Sequence, residues 1–232
     1  MSEYHIHLGD CLEFMRGMSA GSIDAVVTDP PYGIGFKYNN YIDTREGYGD
    51  WIWKIIELAE SKCSPGSPIF VWQAMKNVRY FSEWFPRDWR IFAACKNFIQ
   101  VRPVSMQYAF DPVLVWWTPG KRYNGMGASG RDWYIGNTAN TNNRGDGEAY
   151  NHPCARPLNQ LKYIIENWVK PNGCCFDPFM GSGSTGVAAL QFGRNFIGCE
   201  ISPDYFAIAK KRIEAAHAQL LLFDEVNNGN QN

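Results

Sequence analysis

The sequence predicts an α/β fold: a mostly parallel sheet with helices on its faces. Two observations carry that expectation. Short β-branched or apolar runs alternate with segments of helical period along most of the chain, the order of successive strand–helix units. A glycine-rich turn, Gly181-Ser182-Gly183-Ser184-Thr185-Gly186, also stands between a strand-like run and a helix-like one. With 232 residues, 45% of them hydrophobic, the chain has the length of one α/β domain and enough apolar side chains for a sizeable core.

The elements follow in order. His5-Ile6-His7-Leu8 alternates and stops at Gly9-Asp10, a short strand and a turn, with a helix expected over 12–18. Residues 23–28 are β-branched and mostly apolar and break at Asp29-Pro30-Pro31, as a buried parallel strand does. Residues 37–50 are polar, include Asn39 and Asn40, and read as a mobile loop. Trp51, Ile55, Leu58 and Ala59 keep helical spacing up to Ser64-Pro65-Gly66. Strands are expected at 69–72, 91–94 and 112–117, and between 119 and 151 the chain turns polar and aperiodic, an insertion or long loop. Order returns with the stripe Leu158, Leu161, Ile165, Trp168 and Val169, ended by Pro171-Asn172-Gly173. A strand at 174–176, a helix at 184–191 and a strand at 195–199 come next. Ser202 as N-cap and Pro203 at the first helical position open a last helix to about Leu222, and the Asn-rich tail from Asn227 is expected to be disordered.

Composition narrows the function classes. A net charge of −1 lacks the basic footprint of a non-specific nucleic-acid binder. It leaves room for a local basic face, such as Arg87, Arg90, Lys96 and Arg102 against Asp88. Seven cysteines, an odd number without a Cys-x-x-Cys pair or a clustered histidine, suit a reduced cytoplasmic protein with buried thiols and no metal site. No apolar run is long enough to span a membrane.

Two motifs concentrate the chemistry. Asp29-Pro30-Pro31-Tyr32 places a carboxylate, a proline-held carbonyl and an aromatic ring on one loop. The exocyclic nitrogen of adenine or cytosine is a poor nucleophile because its lone pair is delocalised into the ring. A carboxylate accepting one N–H and a carbonyl accepting the other would favour a tetrahedral nitrogen able to attack a sulfonium methyl in line. Tyr32 would stack on a base swung out of the duplex. Downstream, Asp177-Pro178-Phe179-Met180-Gly181-Ser182-Gly183 leads from a strand to a helix N-terminus, where glycines let the backbone approach a ligand. Glu200 ends the next strand, placed to accept hydrogen bonds from both hydroxyls of a ribose. The glycine spacing also fits a dinucleotide fingerprint, so a nicotinamide-dependent oxidoreductase is a rival. Against it, the chain beyond Glu200 is enough for a helix and a tail, not for a second nucleotide-binding half.

In this order the motifs resemble the S-adenosylmethionine-dependent DNA amino-methyltransferases of the β class, in which Asp-Pro-Pro-Tyr precedes Phe-x-Gly-x-Gly. Leu8-Gly9-Asp10 before Asp24-Ala25-Val26-Val27-Thr28-Asp29 resembles that family's opening, whose acid faces the cofactor adenine. His152-Pro153-Cys154-Ala155-Arg156-Pro157-Leu158 resembles its His-Pro-x-x-Lys-Pro segment, which lines the methionine end, and Gly198-Cys199-Glu200 with Tyr205 resembles its ribose-binding strand and helix. The resemblance implies a Rossmann-like sheet of seven strands, one antiparallel. It implies S-adenosyl-L-methionine as cofactor, held by Asp10, Cys11, Asp29, His152, Arg156, Pro157, Asp177, Pro178, Phe179, Gly181, Gly183, Ser184, Thr185, Glu200 and Tyr205. It implies Asp29, Pro30, Pro31 and Tyr32 as catalytic, double-stranded DNA as substrate and often a homodimer.

One domain would then comprise a catalytic part (1–118), a DNA-recognition insertion (119–151), a cofactor-binding part (152–226) and a tail (227–232). Arg156 departs from the family's Lys and keeps the cation with another geometry. The insertion is short and holds four basic residues against three acidic ones. Candidate phosphate contacts are Lys37, Arg87, Arg90, Lys96, Arg102, Lys121, Arg122, Arg131 and Arg144. Asp at the head of the tetrapeptide is usual in the family's adenine-N6 enzymes, whereas its cytosine-N4 enzymes mostly carry Ser. Adenine is therefore the expected base and cytosine the alternative. Methylation of RNA, protein or a small molecule, and a non-catalytic DNA-binding module, fit the motif order and the intact Asp29 and Tyr32 less well.

Overall fold

The computed structural model describes residues 2–35, 43–44, 46–96, 109–123, 130–136 and 157–229. The first strand, β1 (Tyr4–Leu8), leads into helix α1 (Cys11–Arg16), which Asp10 caps by accepting from the Leu12 and Glu13 amides. Then come β2 (Ala25–Thr28), α2 (Tyr48–Ser61), β3 (Pro68–Trp72), a 3-10 turn (Met75–Tyr80) and the short α3 (Phe81–Trp84). Strands β4 (Arg90–Lys96), β5 (Phe110–Trp117) and β6 (Trp133–Gly136) follow, then α4 (Leu158–Trp168), β7 (Cys174–Asp177), α5 (Ser184–Gln191), β8 (Asn195–Glu200) and α6 (Pro203–Gly229).

The strands form one sheet in the order β1-β8-β7-β2-β3-β5-β4-β6. All run parallel except β5, which is antiparallel to both β3 and β4. Every residue of β2 and β3 is buried, which explains why these strands read as continuous apolar runs. Alternate residues serve opposite faces. Ala25, Val27, Phe70 and Trp72 pack with Leu161, Ile165, Ala188 and Ile213 from α4, α5 and α6. Val26, Ile69 and Val71 pack with Met15, Ile52, Ile56 and Phe81 from α1, α2 and α3. The result is a three-layer α/β/α sandwich.

Three expectations are corrected. The sheet has 8 strands, not seven, because β6 lies inside the segment read as an insertion. Among the described residues it pairs with β4 alone as an edge strand of 4 residues, too short to impose a period on its sequence. Helix α2 starts at Tyr48, inside the segment read as a loop. Helix α6 continues past Leu222 to Gly229, taking in Asn227 and Asn228. Ser202 stands at its N-cap, its carbonyl accepting from Phe206 N–H at 2.9 Å, but its buried hydroxyl has no hydrogen-bond partner.

Strand order also locates the site. From β2 the chain crosses to β3 on one side, and from β7 it crosses to β8 on the other. The carboxyl ends of β2 and β7 therefore flank the switch point, where α/β sheets open a crevice. Asp29 follows β2 and Pro178 follows β7.

Candidate active site

At the base of the crevice lies Asp177, the last residue of β7 and 3% exposed. Its Oδ1 accepts from Thr28 Oγ1 at 2.7 Å and from Phe179 N–H at 3.0 Å, and its Oδ2 accepts from Thr185 Oγ1 at 2.7 Å. Burial pushes its carboxyl up to about 7, the hydrogen bonds from Thr28, Thr185 and Phe179 pull it down, and the charge of Asp29 adds to the rise. Both oxygens serve protein donors, so this carboxylate fastens the loop after β2 to the first turn of α5.

The turn itself is built on glycines. Gly183 has φ +81° at the N-cap of α5, and a Cβ there would meet Ala209 Cα at 3.0 Å. This is the close, left-handed approach that only glycine permits without strain. Glu200 Oε2 accepts from Gly181 N–H at 2.9 Å and Oε1 from Ser202 N–H at 2.8 Å. Burial raises the Glu200 carboxyl while these amides lower it. Arg212 of α6 reaches under the turn and donates to the Ser182 carbonyl at 2.6 Å, Ser182 Oγ at 3.0 Å and Ser184 Oγ at 3.1 Å. The sequence reading missed Arg212; its one signal is a cation between the buried Ala209 and Ala216 on the apolar face of α6.

On the other wall, Tyr32 donates its hydroxyl to Asp29 Oδ1 at 2.5 Å. The side chain expected to stack on a base thus sits on the carboxylate expected to hold its amine. Pro30 is buried, while Asp29, Pro31 and Tyr32 are half-buried at the opening. Trp51, 39% exposed, lies 5.6 Å from the ring of Phe179, the residue two past the end of β7.

The remaining candidates divide. Asp10 is spent partly on capping α1, and Gly9 N–H donates to the Glu200 carbonyl at 2.9 Å, bringing β1 and β8 together at the crevice. Cys11 is buried, and burial with the nearby Asp10 pushes its thiol up to about 12, so it stays protonated. Pro178, Ser184, Thr185 and Tyr205 are buried around the turn, and Pro157 is half-buried just before α4. His152 and Arg156 lie outside the described residues, as do Lys37, Arg102 and Arg144.

The other basic candidates mostly sit elsewhere. Arg90 opens β4, which runs in the direction of β3, so it lies at the amino-terminal edge of the sheet. Trp117 ends the antiparallel β5 opposite Pro68, which puts Lys121 and Arg122 at that same edge. Arg131, just ahead of β6, joins them, and Arg87 precedes Arg90 on the chain while pairing with Glu60 at 3.2 Å. Strands of this length span about 15–20 Å, so these residues and the Asp29 loop occupy opposite ends of the sheet. Lys96 alone among the described candidates lies at the carboxyl end, paired with Asp111 at 2.7 Å. Among the described residues no His, Cys, Asp and Glu group is placed to hold a metal ion. Nor is any helix there long and apolar enough to cross a membrane.

Comparison with known proteins agrees with this geometry. A family model described as DNA methylase, of the N6/N4 type, matches residues 23–211. The Escherichia coli K12 protein named DNA adenine methyltransferase YhdJ is 25% identical over 244 residues, covering 90% of this chain and 82% of that protein. The crystal structure of an M1.HpyAVI–SAM complex superposes with a TM-score of 0.66 at 22% identity, covering 90% of this chain and 99% of that one. The PvuII cytosine-N4-specific DNA methyltransferase does so with a TM-score of 0.70 at 19% identity, covering 95% and 93%. The family match runs from the residues before β2 into α6 and takes in both motif loops, and the chain therefore belongs to the N6/N4 DNA methylase family.

Proposed function

We propose that this chain transfers a methyl group from S-adenosylmethionine to N6 of an adenine swung out of double-stranded DNA. The observation that carries the reading is the Asp177 tie, which joins Thr28, next to Asp29, to Thr185 in the first turn of α5. It makes the base-binding loop and the glycine turn one unit.

The residues around the turn suit the cofactor. Glu200 spends one lone pair of each oxygen on the Gly181 and Ser202 amides and keeps capacity for both hydroxyls of a ribose. Trp51 and Phe179 offer aromatic faces beside the turn. When bound, S-adenosylmethionine supplies an electrophilic methyl group on a cationic sulfur.

The loop does the rest. Tyr48 already donates to the Pro31 carbonyl and Asn77 to the Tyr32 carbonyl, each at 2.7 Å. The Pro30 carbonyl is then the loop acceptor for one amine hydrogen, and the Asp29 carboxylate takes the other. With both hydrogens held out of the ring plane, the nitrogen lone pair points at the incoming methyl carbon. Asp29 would receive the surplus amine proton as the methyl group passes from sulfur to nitrogen. As the amine displaces the Tyr32 hydroxyl from Asp29, the tyrosine ring is released to stack on the base.

Adenine is favoured by Asp at the head of the tetrapeptide and by the name of the YhdJ relative. The likeness to the PvuII enzyme concerns the fold. The test is to incubate the protein with S-adenosylmethionine and duplex DNA, digest to nucleosides and run mass spectrometry. N6-methyladenine is the expected product. N4-methylcytosine would overturn the base assignment, and unmodified DNA the proposal itself.

A further inference from the structure

The backbone of the Asp29 loop is held through its own N–H and C=O groups by side chains from three neighbouring segments. Asp43 Oδ2 accepts from Tyr32 N–H at 3.1 Å and from Ile34 N–H at 3.3 Å, and its carbonyl accepts from Gly35 N–H at 2.7 Å. Tyr48, at the start of α2, donates to the Pro31 carbonyl at 2.7 Å and is itself held by Gln73 Nε2 at 2.7 Å. Asn77, in the 3-10 turn, donates to the Tyr32 carbonyl at 2.7 Å. All are deeply buried: Asp43 is 3% exposed, Tyr48 4% and Asn77 0%.

We infer that Asp43, Tyr48 and Asn77 form a frame that sets the Asp29 loop before a base arrives, with Asp43 its chief positioning residue. The inference rests on the proposed reaction for its rate readout. None of the three needs to touch the amine. Each fixes a main-chain group between Pro31 and Ile34, and so the direction in which Asp29 and the Pro30 carbonyl face. A misplacement of about 1 Å in such acceptors costs on the order of 100-fold in rate. Two prolines leave this loop few N–H groups with which to anchor itself, so the anchors come from outside.

Asp43 has one further property. Among the described residues, its buried Oδ1 has no hydrogen-bond partner. Of the carboxylate, only Oδ2 does the holding, so an amide oxygen in its place can accept the same two amides, with the amide nitrogen at the Oδ1 position costing overall stability rather than the loop's bonds. The frame therefore needs an acceptor at position 43 and not a charge.

The test compares Asp43→Ala, Asp43→Asn and Tyr48→Phe. Three readouts are needed: kcat on duplex DNA, S-adenosylmethionine affinity by calorimetry, and amide hydrogen exchange over residues 29–35. Asp43→Ala should lower kcat by about 10- to 100-fold, leave cofactor affinity within about 3-fold, and speed exchange at Tyr32 and Ile34. Asp43→Asn should stay within about 3-fold of the parent protein in all three. Tyr48→Phe keeps the ring beside Trp84, at 4.9 Å, and loses the hydroxyl that donates to the Pro31 carbonyl and accepts from Gln73 Nε2, while Asp43 and Asn77 still hold the loop, so it should show the Ala signature more weakly. Parent-like kcat and exchange in Asp43→Ala would overturn the frame. So would a parallel fall of cofactor affinity and kcat, the mark of a general structural role, or an Asn variant as impaired as the Ala one. If Asp43→Ala does not fold, the Asn and Tyr48→Phe variants decide. If the parent protein methylates no DNA, the proposed reaction fails while hydrogen exchange still judges the frame.

Discussion

Replacing Asp177 by Asn should change how stability depends on pH more than it changes the fold. The Asp177 carboxyl is raised to about 7 in the folded protein from an ordinary value of 3.8. Between those values the unfolded chain has released the proton and the folded one retains it. Stability therefore falls as pH rises through this window, by about 1.4 kcal/mol per unit, or about 4 kcal/mol in all. The contribution is complete below about pH 4 and gone above about pH 7. Asn does not titrate, so the stability difference between variant and parent should shift by about 3 kcal/mol in favour of the variant from pH 4.5 to 8. The local bonds can survive the change. The amide oxygen takes the place of Oδ1, where the Phe179 N–H and the Thr28 hydroxyl donate, and Thr185 can rotate its hydroxyl to accept from the amide nitrogen. Urea unfolding of both proteins at a series of pH values measures the difference directly. Parallel curves would refute the argument, since they would mean that the buried carboxyl does not carry the proton.

Glu200→Gln should weaken S-adenosylmethionine binding by about 1.5–3 kcal/mol. The amide nitrogen must also face either the Gly181 or the Ser202 N–H, so thermal stability should drop as well. Calorimetry finding parent-like affinity would show that Glu200 does not hold the cofactor. Neutralising Arg90, Lys121, Arg122 and Arg131 together should leave the salt dependence of duplex binding unchanged, because they lie at the amino-terminal edge of the sheet. Fluorescence anisotropy at several salt concentrations tests this. A slope shallower by about 0.9 for each charge removed would place phosphate at that edge after all.

Much of the architecture was legible in the sequence. The 184–191 helix, the buried strands after Ser22 and before Trp72, and both motif loops were read from period, β-branching and glycine placement, and the structure has them there. These signals are local. A fully buried parallel strand needs apolar residues on both faces, and a helix beginning at a tight turn needs glycine before it. Strand β6 escaped because an edge strand of 4 residues carries no such constraint. Asp43 escaped because nothing in a polar run distinguishes a carboxylate that holds a backbone from one that faces water.

By itself, the sequence determined the α/β class, placed Asp29-Pro30-Pro31-Tyr32 and the glycine turn at strand ends, and pointed to their family. Only the tertiary structure decided how those parts meet. Thr28 and Asp177 are 149 residues apart, and their bond exists because β2 pairs directly with β7. The same wiring sends Arg90, Lys121, Arg122 and Arg131 to the far edge, although their charges read the same as any others along the chain. Side-chain period reports which face of an element is buried. Strand order and direction determine what lies across from it, and those arise from packing the whole sheet at once.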